Sequence, residues 1–506
     1  MKKFNITFIL TIIALQWVQP VLGQDDKPNF LFILTDDQTY ETIHALNNTQ
    51  IITPNMDRLV NEGVTFTHTF NQGSWSPAIC VASRSMLITG QNVFKAVRNE
   101  AYLDEGHHFK GNTIKTEVPL WQEVFEKNGY NTFITGKWHN SDYALKGFDK
   151  GHSVLKTIRE YQNKRGINPI YYRKKARPAK WNPWDKKYKG HWSVIARDIV
   201  RDEDGENKVC ADFELINKHS SELFSDHAID YLMNYDLTEE KPFFMYVAFF
   251  APHDPRQSPK EYVDMYPVDS IKIPENYLDK HPFNQGDNRI RDENLGPHPR
   301  TKESVQLHRS EYYAIITHLD HELGRIMTAL EKRGLDENTY VILSADHGLA
   351  VGQHGLMGKQ NQYDHTVRMP LIIKGPGLEA GRKINNKVYL QSMFATTCEL
   401  ASIEVPETID FKSLKGLIDG DKLGGEEYIF GAYRNLQRMI RSDKYKLIVY
   451  PEVKKIQLFD LENDPHEITD LSDNQKYTQI KKKLFEELLK KQKELGDYIT
   501  LNETDY

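Results

Sequence analysis

The sequence of 506 residues contains only three cysteines, Cys80, Cys210 and Cys398. So few thiols exclude a scaffold held together by several disulfides, and an odd number leaves at least one thiol without an intramolecular partner. A bridge between Cys210 and Cys398 stays open at this stage. Cys80 stands apart because it lies in a loop-like run of small residues, four positions before Arg84. Taken alone, it fits a buried structural thiol or a reactive one.

The sequence also lacks a hydrophobic run of the ~20 residues that a membrane-spanning helix needs. An apolar stretch from Phe8 to Val18 follows Met1-Lys2-Lys3 and precedes Pro20-Val21-Leu22-Gly23. A basic start, an apolar centre and small residues after it are typical of a secretory signal peptide. We therefore predict a signal peptide over residues 1–23, a periplasmic or secreted mature protein and no membrane anchor.

A surplus of positive charge is absent as well. The chain has 65 Lys and Arg residues against 71 Asp and Glu residues, a formal net charge of −6. Nucleic-acid-binding proteins are usually strongly basic, so we expect no nucleic acid as a partner. Basic and aromatic residues are nevertheless interleaved between residues 156 and 189. This irregular stretch suits either the stacking of sugar rings of an anionic polymer or a solvated basic loop.

Short apolar runs alternate with amphipathic segments through most of the chain. Strands are predicted at residues 29–34, 64–68, 130–135, 243–250, 340–344 and 370–375, and helices at 55–63, from 82 or 83, at 118–128, 220–234 and 311–333. This alternation indicates an α/β domain with a mainly parallel sheet. Short strands after residue 425 predict an antiparallel sheet, closed by a charged helix at 476–495. We therefore place a signal peptide at 1–23, the α/β domain at 24–422 and an antiparallel subdomain at 423–506.

Polar side chains follow the ends of successive predicted strands. Ligands of open α/β sheets bind outside the carboxyl ends of the strands, so we expect these side chains to converge. In chain order they are Asp36, Asp37, Cys80, Arg84, Lys137, His139, His253, Asp346, His347 and Lys359.

These residue types define a chemistry. Three aspartates and a histidine supply oxygen ligands and one nitrogen for a divalent cation. An arginine and two lysines supply positive charge for an oxyanion, and His139 and His253 can act as base and acid. A divalent metal beside basic residues is typical of a site for a tetrahedral oxyanion ester.

Residues 80–90 read C-V-A-S-R-S-M-L-I-T-G, which resembles the modification signature of type I sulfatases. In that signature the cysteine is oxidised to Cα-formylglycine. Ala82 stands where the family most often has proline. The remaining family motifs occur in order, namely L-T-D-D-Q at 34–38, T-P-N-M-D-R-L at 53–59, T-G-K-W-H at 135–139, A-P-H at 251–253, S-A-D-H-G at 344–348, R-M-P-L-I at 368–372 and L-F-D-L-E-N-D-P-H-E at 458–467. The chain thus resembles a type I sulfatase of the alkaline-phosphatase superfamily.

The resemblance implies a fold and a metal. The fold is alkaline-phosphatase-like, with a large mixed, mainly parallel sheet flanked by helices and a small C-terminal antiparallel sheet with one helix. The implied α/β domain is catalytic. One Ca²⁺ per chain would be held by Asp36, Asp37, Cys80 in its modified form, Asp346 and His347. The implied partner is a formylglycine-generating enzyme or an anaerobic maturase that converts Cys80.

The resemblance also implies a mechanism. The formylglycine is hydrated to a geminal diol, and one of its oxygens attacks sulfur. Arg84, Lys137 and Lys359 stabilise charge on the sulfuryl oxygens. His253 then protonates the leaving sugar oxygen, and His139 takes the second diol proton, which expels sulfate and restores the aldehyde.

The substrate class follows less directly. Export and the basic aromatic stretch favour a sulfated polysaccharide or its oligosaccharides. Trp75-Ser76-Pro77-Ala78 and the signal peptide resemble sulfatases of marine Bacteroidetes that act on algal polymers such as ulvan or carrageenan. Host glycosaminoglycans and small aryl sulfates are the next choices. Two alternatives remain, a phosphatase or phosphodiesterase of the same superfamily and a non-catalytic protein that binds sulfated glycans.

Overall fold

A computed structural model describes residues 27–97, 118–155, 182–187, 190–201, 208–239, 241–287 and 290–506. The predicted signal peptide lies outside these residues, and so does most of the basic aromatic stretch. Within the described residues, no helix combines the length and apolar composition that crossing a lipid bilayer requires. The three cysteines form no disulfide, with Cys210 exposed and Cys80 and Cys398 buried, so Cys210 and Cys398 are not bridged.

The chain forms sixteen strands within the described residues. They are β1 Asn29–Thr35, β2 Val64–Phe70, β3 Gly73–Ser74, β4 Asn131–Lys137, β5 Lys150–Leu155, β6 Val194–Arg201, β7 Lys208–Cys210, β8 Glu214–Ile216, β9 Phe243–Ala248, β10 Thr339–Ala345, β11 Arg368–Lys374, β12 Arg382–Tyr389, β13 Ile429–Tyr433, β14 Gln437–Arg441, β15 Tyr445–Tyr450 and β16 Lys455–Asp460.

Eleven of these strands form one large mixed sheet in the order β12-β2-β11-β10-β1-β9-β4-β5-β6-β7, with β8 paired to β6. The central strands β10, β1, β9, β4 and β5 are parallel, and antiparallel pairs lie on both sides of them. Because parallel strands end at the same edge, the residues after β1, β4, β9 and β10 meet there. The predicted mixed sheet is confirmed.

Helices cover both faces of this sheet, and the last helix of the chain packs instead against β14 and β15. They are α1 Pro54–Glu62, α2 Ile79–Thr89, α3 Val93–Ala96, α4 Trp121–Lys127, α5 Ser220–Met233, α6 Lys260–Asp264, α7 Lys302–Lys332, α8 Asp364–Val367, α9 Met393–Leu400, α10 Lys415–Asp419 and α11 Thr478–Leu495. Strand β1 is buried on both faces, since Leu31 and Ile33 pack in the cluster that includes α7, whereas Phe30 and Phe32 pack in the cluster that includes Trp121. A strand covered on both faces needs an uninterrupted apolar run, and β1 has one.

Two helices begin earlier than the sequence predicts. Helix α2 begins at Ile79 rather than at Ala82 or Ser83, and its N-cap residue Ala78 provides no side-chain hydrogen bond. The start of this helix therefore lacks the polar cap that marks most helix starts in a sequence. Helix α7 begins at Lys302 rather than at residue 311, after Thr301, whose side chain accepts a hydrogen bond from the Ser304 N–H.

The remaining strands form a smaller sheet in the order β16-β15-β14-β13-β3. Its four C-terminal strands are antiparallel, whereas β3, from the first hundred residues, pairs in parallel with β13. A Cβ atom at Gly73, where φ is +100°, would come within 1.9 Å of the Ala432 carbonyl oxygen, so this close approach requires glycine. The smaller sheet is thereby attached to the segment that leads into α2.

Candidate active site

The residues predicted from strand ends meet at the carboxyl edge of the large sheet. Asp36 and Asp37 follow β1, and Lys137 is the last residue of β4. His253 follows β9, and Asp346 follows β10 directly. The remaining predicted residues come from α2, from the segments after β4 and β10, and from the loop before α8; they are Cys80, Arg84, His139, His347 and Lys359.

Cys80 lies in the first turn of α2, not in a loop as the sequence suggested, because that helix begins at Ile79. Its Sγ atom lies 3.1 Å from Asp36 Oδ1 and 3.8 Å from Asp37 Oδ1, and Lys359 Nζ donates to it at 2.7 Å. Burial, and then the charge of Asp36, raise the pKa of the thiol well above its usual range. An unmodified Cys80 is therefore a protonated thiol rather than a thiolate nucleophile.

Three buried aspartates face three buried cations around Cys80. Lys137 Nζ pairs with Asp36 Oδ2, and Arg84 Nε donates to Asp346 Oδ2 at 2.8 Å. Lys359 Nζ donates to both carboxylate oxygens of Asp37, at 2.6 and 2.7 Å. Burying so many charges is costly unless they are paired, so this arrangement is typical of a functional site.

The three carboxyl groups differ in how strongly they hold a proton. At Asp36, burial alone would raise the pKa, but Lys137 and then His253 and Lys359 hold it well below its usual range. At Asp37, burial outweighs Lys359, and with the charges of Asp36 and Asp346 it raises the pKa to about 8. At Asp37, Lys359 alone therefore does not offset the cost of burying the charge, and a bound divalent cation would favour the ionised carboxylate.

The ligand atoms of Asp36, Asp37, Cys80 and His253 all lie within 4.8 Å of one another. Asp346 lies next to this group, since its Oδ1 atom accepts from the Asp37 N–H at 3.3 Å. His347 Nε2 lies 3.2 Å from the Lys359 carbonyl oxygen, and its Nδ1 lies 3.4 Å from Asn71 Nδ2. The imidazole of the close group is thus that of His253, and the predicted ligands Asp346 and His347 lie outside it. Carboxylate oxygens with one imidazole nitrogen fit a divalent cation.

Arg84 is placed to bind an anion. Its Nη1 atom donates to the Lys137 carbonyl oxygen at 2.6 Å, whereas Nη2 is buried without a hydrogen-bond partner among the described residues. Asp36 Oδ2 lies 3.8 Å from Nη2, too far for a hydrogen bond. A buried guanidinium N–H without an acceptor is costly, so an oxyanion at this point would complete the site.

The two predicted acid–base histidines differ in their contacts. His253 Nδ1 lies 2.8 Å from the Asp254 carbonyl oxygen and so carries the proton, which leaves Nε2 directed towards Asp37 Oδ2 at 3.7 Å. Burial, Lys137 and Lys359 lower the pKa of His253 to about 4. His139 has a φ of 62°, and its buried Nδ1 has no partner among the described residues. Burial and Lys137 hold its pKa well below the usual value.

Two residues that support this site were absent from the sequence-based prediction. Asn71 Nδ2 donates to the Asp346 carbonyl oxygen at 2.9 Å, and the Tyr312 hydroxyl lies against the backbone of Asp37 and Thr39. Asn71 directly follows β2, so the strand-end criterion could have found it. Tyr312 lies in the middle of α7, and nothing in its local sequence distinguishes it from a core tyrosine.

Two family models match the chain. The model described as Sulfatase matches residues 28–403, and the model described as N-sulphoglucosamine sulphohydrolase, C-terminal, matches residues 352–494. The first match covers every residue of the candidate site. The second covers Lys359 and most of the smaller sheet.

Known proteins resemble the chain over most of its length. An arylsulfatase of Clostridium perfringens is 29% identical over 91% of this chain and 94% of its own. An ulvan-active sulfatase of Formosa agariphila is 27% identical over 95% of this chain and 84% of its own. A solved structure described as bound to its substrate D-glucosamine-2-N,6-O-disulfate has a TM-score of 0.72, 21% identity and coverage of 95% and 99% of the two chains.

Proposed function

The chain belongs to the sulfatase family, and from this premise we propose that it hydrolyses sulfate esters of sulfated glycans with a formylglycine made from Cys80. The observation that carries the proposal is the position of Cys80. It lies in the first turn of α2, buried against Asp36 and Lys359, where its own thiol is protonated and unreactive. A residue that is so well placed and so poorly activated suits a precursor of another nucleophile.

We propose the following roles for the residues of the site. Asp36, Asp37, Asp346 and His347 would hold a divalent cation, which we propose is Ca²⁺, and this ion with the hydrated formylglycine would supply the nucleophilic oxygen. Arg84 Nη2, the unsatisfied donor described above, would bind one sulfuryl oxygen. The ammonium groups of Lys137 and Lys359, already directed at this centre, would bind the others.

The histidines would move protons. His253 Nδ1–H is held by the Asp254 carbonyl oxygen, so Nε2 is the nitrogen that exchanges a proton with the substrate. Lys137 and Lys359 keep this ring neutral, and a bound sulfate ester would offset their charge and favour the protonated form. His253 would then protonate the leaving oxygen, and His139, through its free Nδ1, would take up the proton that is released with sulfate.

We propose algal polymers such as ulvan or carrageenan as the preferred substrates. The likeness to the ulvan-active sulfatase of Formosa agariphila supports this choice. Further support comes from the described end of the basic aromatic stretch, where Lys186 Nζ lies 5.3 Å from the Trp192 ring centre and Lys260 Nζ lies 5.3 Å from that of Trp184. Aromatic rings beside cations suit sulfated sugars. We further propose a periplasmic or secreted location and maturation by a formylglycine-generating enzyme or anaerobic maturase.

A desulfation screen tests the proposed function. Enzyme co-expressed with a maturase is incubated with defined oligosaccharides of ulvan, carrageenan and glycosaminoglycans, and with phosphate monoesters and diesters, while released sulfate and phosphate are measured. We expect sulfate release from at least one glycan and a Cys80 peptide whose mass corresponds to formylglycine. Faster release of phosphate would favour the phosphatase alternative. A free thiol at Cys80 in fully active enzyme would exclude the proposed nucleophile.

A further inference from the structure

A second arginine lies near the candidate site without belonging to the groups that surround Cys80. Arg291 begins a 3₁₀ helix, Arg291–Leu295, in the irregular segment between α6 and α7. Its Nε atom donates to Asp292 Oδ1 at 2.5 Å and its Nη2 to Asp292 Oδ2 at 2.9 Å. The arginine side chain is 37% exposed, whereas that of Asp292 is 9% exposed. Arg291 is thus a partly exposed cation fixed on a buried carboxylate.

The carboxylate that holds Arg291 is itself tied to the site. Gln360 Nε2 donates to Asp292 Oδ2 at 2.6 Å and to the Pro77 carbonyl oxygen at 3.0 Å. Gln360 follows Lys359, and Pro77 lies three residues before Cys80. Burial alone would raise the pKa of Asp292, but the charge and hydrogen bonds of Arg291 hold it below its usual value, so it stays ionised. This chain of contacts fixes Arg291 relative to Cys80.

The guanidinium of Arg291 has N–H groups that Asp292 does not use. Among the described residues, Asp292 accepts from one N–H on Nε and one on Nη2, which leaves the other three, on Nη1 and Nη2, for another acceptor. Gln360, which links Asp292 to Pro77, directly follows Lys359, so the arginine lies beside the segments that carry Cys80 and Lys359. The guanidinium is therefore an accessible cation next to the site.

The reacting sulfate does not need this arginine. Arg84, Lys137 and Lys359 already surround Cys80, and each is buried. Arg291 differs from them because it is exposed and is oriented through its own carboxylate. We propose that Arg291, held by Asp292, is the binding site for a second anionic group of the substrate, carried by the sugar next to the one that bears the scissile sulfate. This proposal rests on the proposed function.

The ligand is an oxyanion that accepts two parallel hydrogen bonds. A uronic acid carboxylate and a second sulfate both have this chemistry, and both match the edge of a guanidinium better than a single ammonium does. Such a contact would favour glycans whose neighbouring sugar is charged over glycans whose neighbouring sugar is neutral. It would also explain why the arginine is held rigidly, because a preorganised side chain loses less entropy on binding.

The test uses three disaccharides with the same sulfated sugar, joined to a neutral hexose, a glucuronic acid or a second sulfated hexose. Binding is measured calorimetrically on Cys80→Ala, which binds without turnover, and on Cys80→Ala combined with Arg291→Ala or Arg291→Lys. We expect Arg291→Ala to weaken binding of one or both charged disaccharides by roughly 10- to 100-fold more than that of the neutral one. Arg291→Lys should fall between, since it keeps the charge and loses the paired donors. The charged disaccharide with the larger loss identifies the group.

The matched control is Arg58→Ala in the same background. Arg58 is equally exposed, at 37%, and paired with Glu62, but it lies near Lys374 at the opposite edge of the sheet. We expect equal small effects of this variant on all three disaccharides. An Arg291→Ala loss that is the same for all three, or no loss, would overturn the proposed subsite. Binding that depends on Arg291 in a protein whose wild type releases no sulfate would instead overturn the proposed function alone.

Discussion

Two of the buried charge clusters in the described part of the chain differ in the elements that they connect. In the site cluster, formed by Asp36, Asp37, Asp346, Arg84, Lys137 and Lys359, most of the groups come from the ends of strands of one sheet and surround one thiol. In the junction cluster, formed by Asp364, Glu467, Arg441 and Lys446, the groups come from two layers. Asp364 belongs to α8, whereas Arg441 and Lys446 belong to β14 and β15 of the smaller sheet.

The junction cluster pairs its charges with one another. Lys446 Nζ pairs with Asp364 Oδ1 and, at 2.6 Å, with Glu467 Oε1, while Glu467 Oε2 accepts from the Asp364 N–H at 2.7 Å. Each charged group has a partner of opposite sign, although Arg441 Nε is buried without a hydrogen-bond partner among the described residues, and the pairs join α8 to the smaller sheet. The site cluster instead surrounds a protonated thiol at the edge of the large sheet. We therefore expect the same chemistry to stabilise the fold in one place and to bind a ligand in the other.

The largest expected effect is that of Cys80→Ala, which should remove activity and leave stability nearly unchanged. In Cys80→Ala we expect kcat for sulfate release to fall by on the order of 10⁵ to 10⁶, because the group that forms the nucleophile is gone. The free energy of unfolding should change by only about 1 kcal/mol, since a small side chain is shortened. Sulfate release and urea unfolding measure the two quantities. Residual activity above about one percent of wild type would contradict the proposed role.

For Lys446→Met we expect the opposite result, a large loss of stability with little change in activity. Removing the cation shared by Asp364 and Glu467 leaves buried carboxylates without their partner, and we expect a loss of roughly 3–5 kcal/mol in the free energy of unfolding. Urea unfolding measures it, while kcat/KM of the folded fraction should change little. Lys444→Met is the control, because its pair with Glu462 is 45% and 63% exposed and contributes little to stability. Equal effects of both variants would show that the junction contributes no special stability.

The variant Lys359→Met tests whether the charges of the site cluster also stabilise the fold. We expect kcat/KM to fall by roughly 10²- to 10³-fold, since a donor to the sulfuryl oxygens is lost. Stability should fall less than in Lys446→Met, because Asp37, whose pKa is already raised to about 8, can take up a proton. Steady-state kinetics and urea unfolding of the same preparation test this. Lys374→Met, paired with Glu62 at the far edge, is the control for kinetics. A loss of stability without a fall in kcat/KM would show that Lys359 stabilises the fold rather than the reaction.

The smallest expected effect is a pH dependence of the junction. Burial raises the pKa of Glu467 to about 7, from 4.5 for the free side chain, and Asp364 adds to the shift. A raised carboxyl pKa contributes stability that is complete below pH 4.5 and is lost as the pH rises through 7.

We therefore expect wild-type protein to lose roughly 1–3 kcal/mol more than Glu467→Gln between pH 5 and pH 8 in the free energy of unfolding. Urea unfolding at both pH values measures this difference. Glu462→Gln, at the exposed pair with Lys444, should retain the wild-type pH profile. If Glu467→Gln retains it as well, Glu467 is ionised in the folded protein and the junction is a simple ion pair.

The central strands of the large sheet, the antiparallel C-terminal strands and the composition of the site were predictable because they follow from local patterns, whereas β5 to β8 and β12 were not predicted. Phe243–Ala248 had to be apolar throughout, since a central parallel strand is covered on both faces. Once β1, β9 and β10 were recognised as parallel, their polar successors had to meet at one edge. The start of α2 was predicted three or four residues too late, about one helical turn, since Ala78 gives this helix no polar cap.

Contacts between distant segments were not predictable. Asp292, Gln360 and Pro77 meet through one amide group, and no local pattern in any of the three segments indicates the others. The start of α7 was missed for a different reason. Its first turns are largely polar, and the Thr301 cap, which does have a sequence signal, was outweighed by the absence of apolar periodicity there.

The pairing of β3 with β13 also affects the order in which segments of the chain fold. The segment before Cys80 is synthesised early, whereas Ile429–Tyr433, which completes its sheet, leaves the ribosome near the end. Contacts between residues so far apart in sequence form late, because a very large loop must close first. We therefore expect the segment that leads to Cys80 to complete its sheet only when the last strands dock. The thiol itself is buried against Asp36 and Lys359, which lie outside those strands, so its surroundings form in part before the final stage of folding.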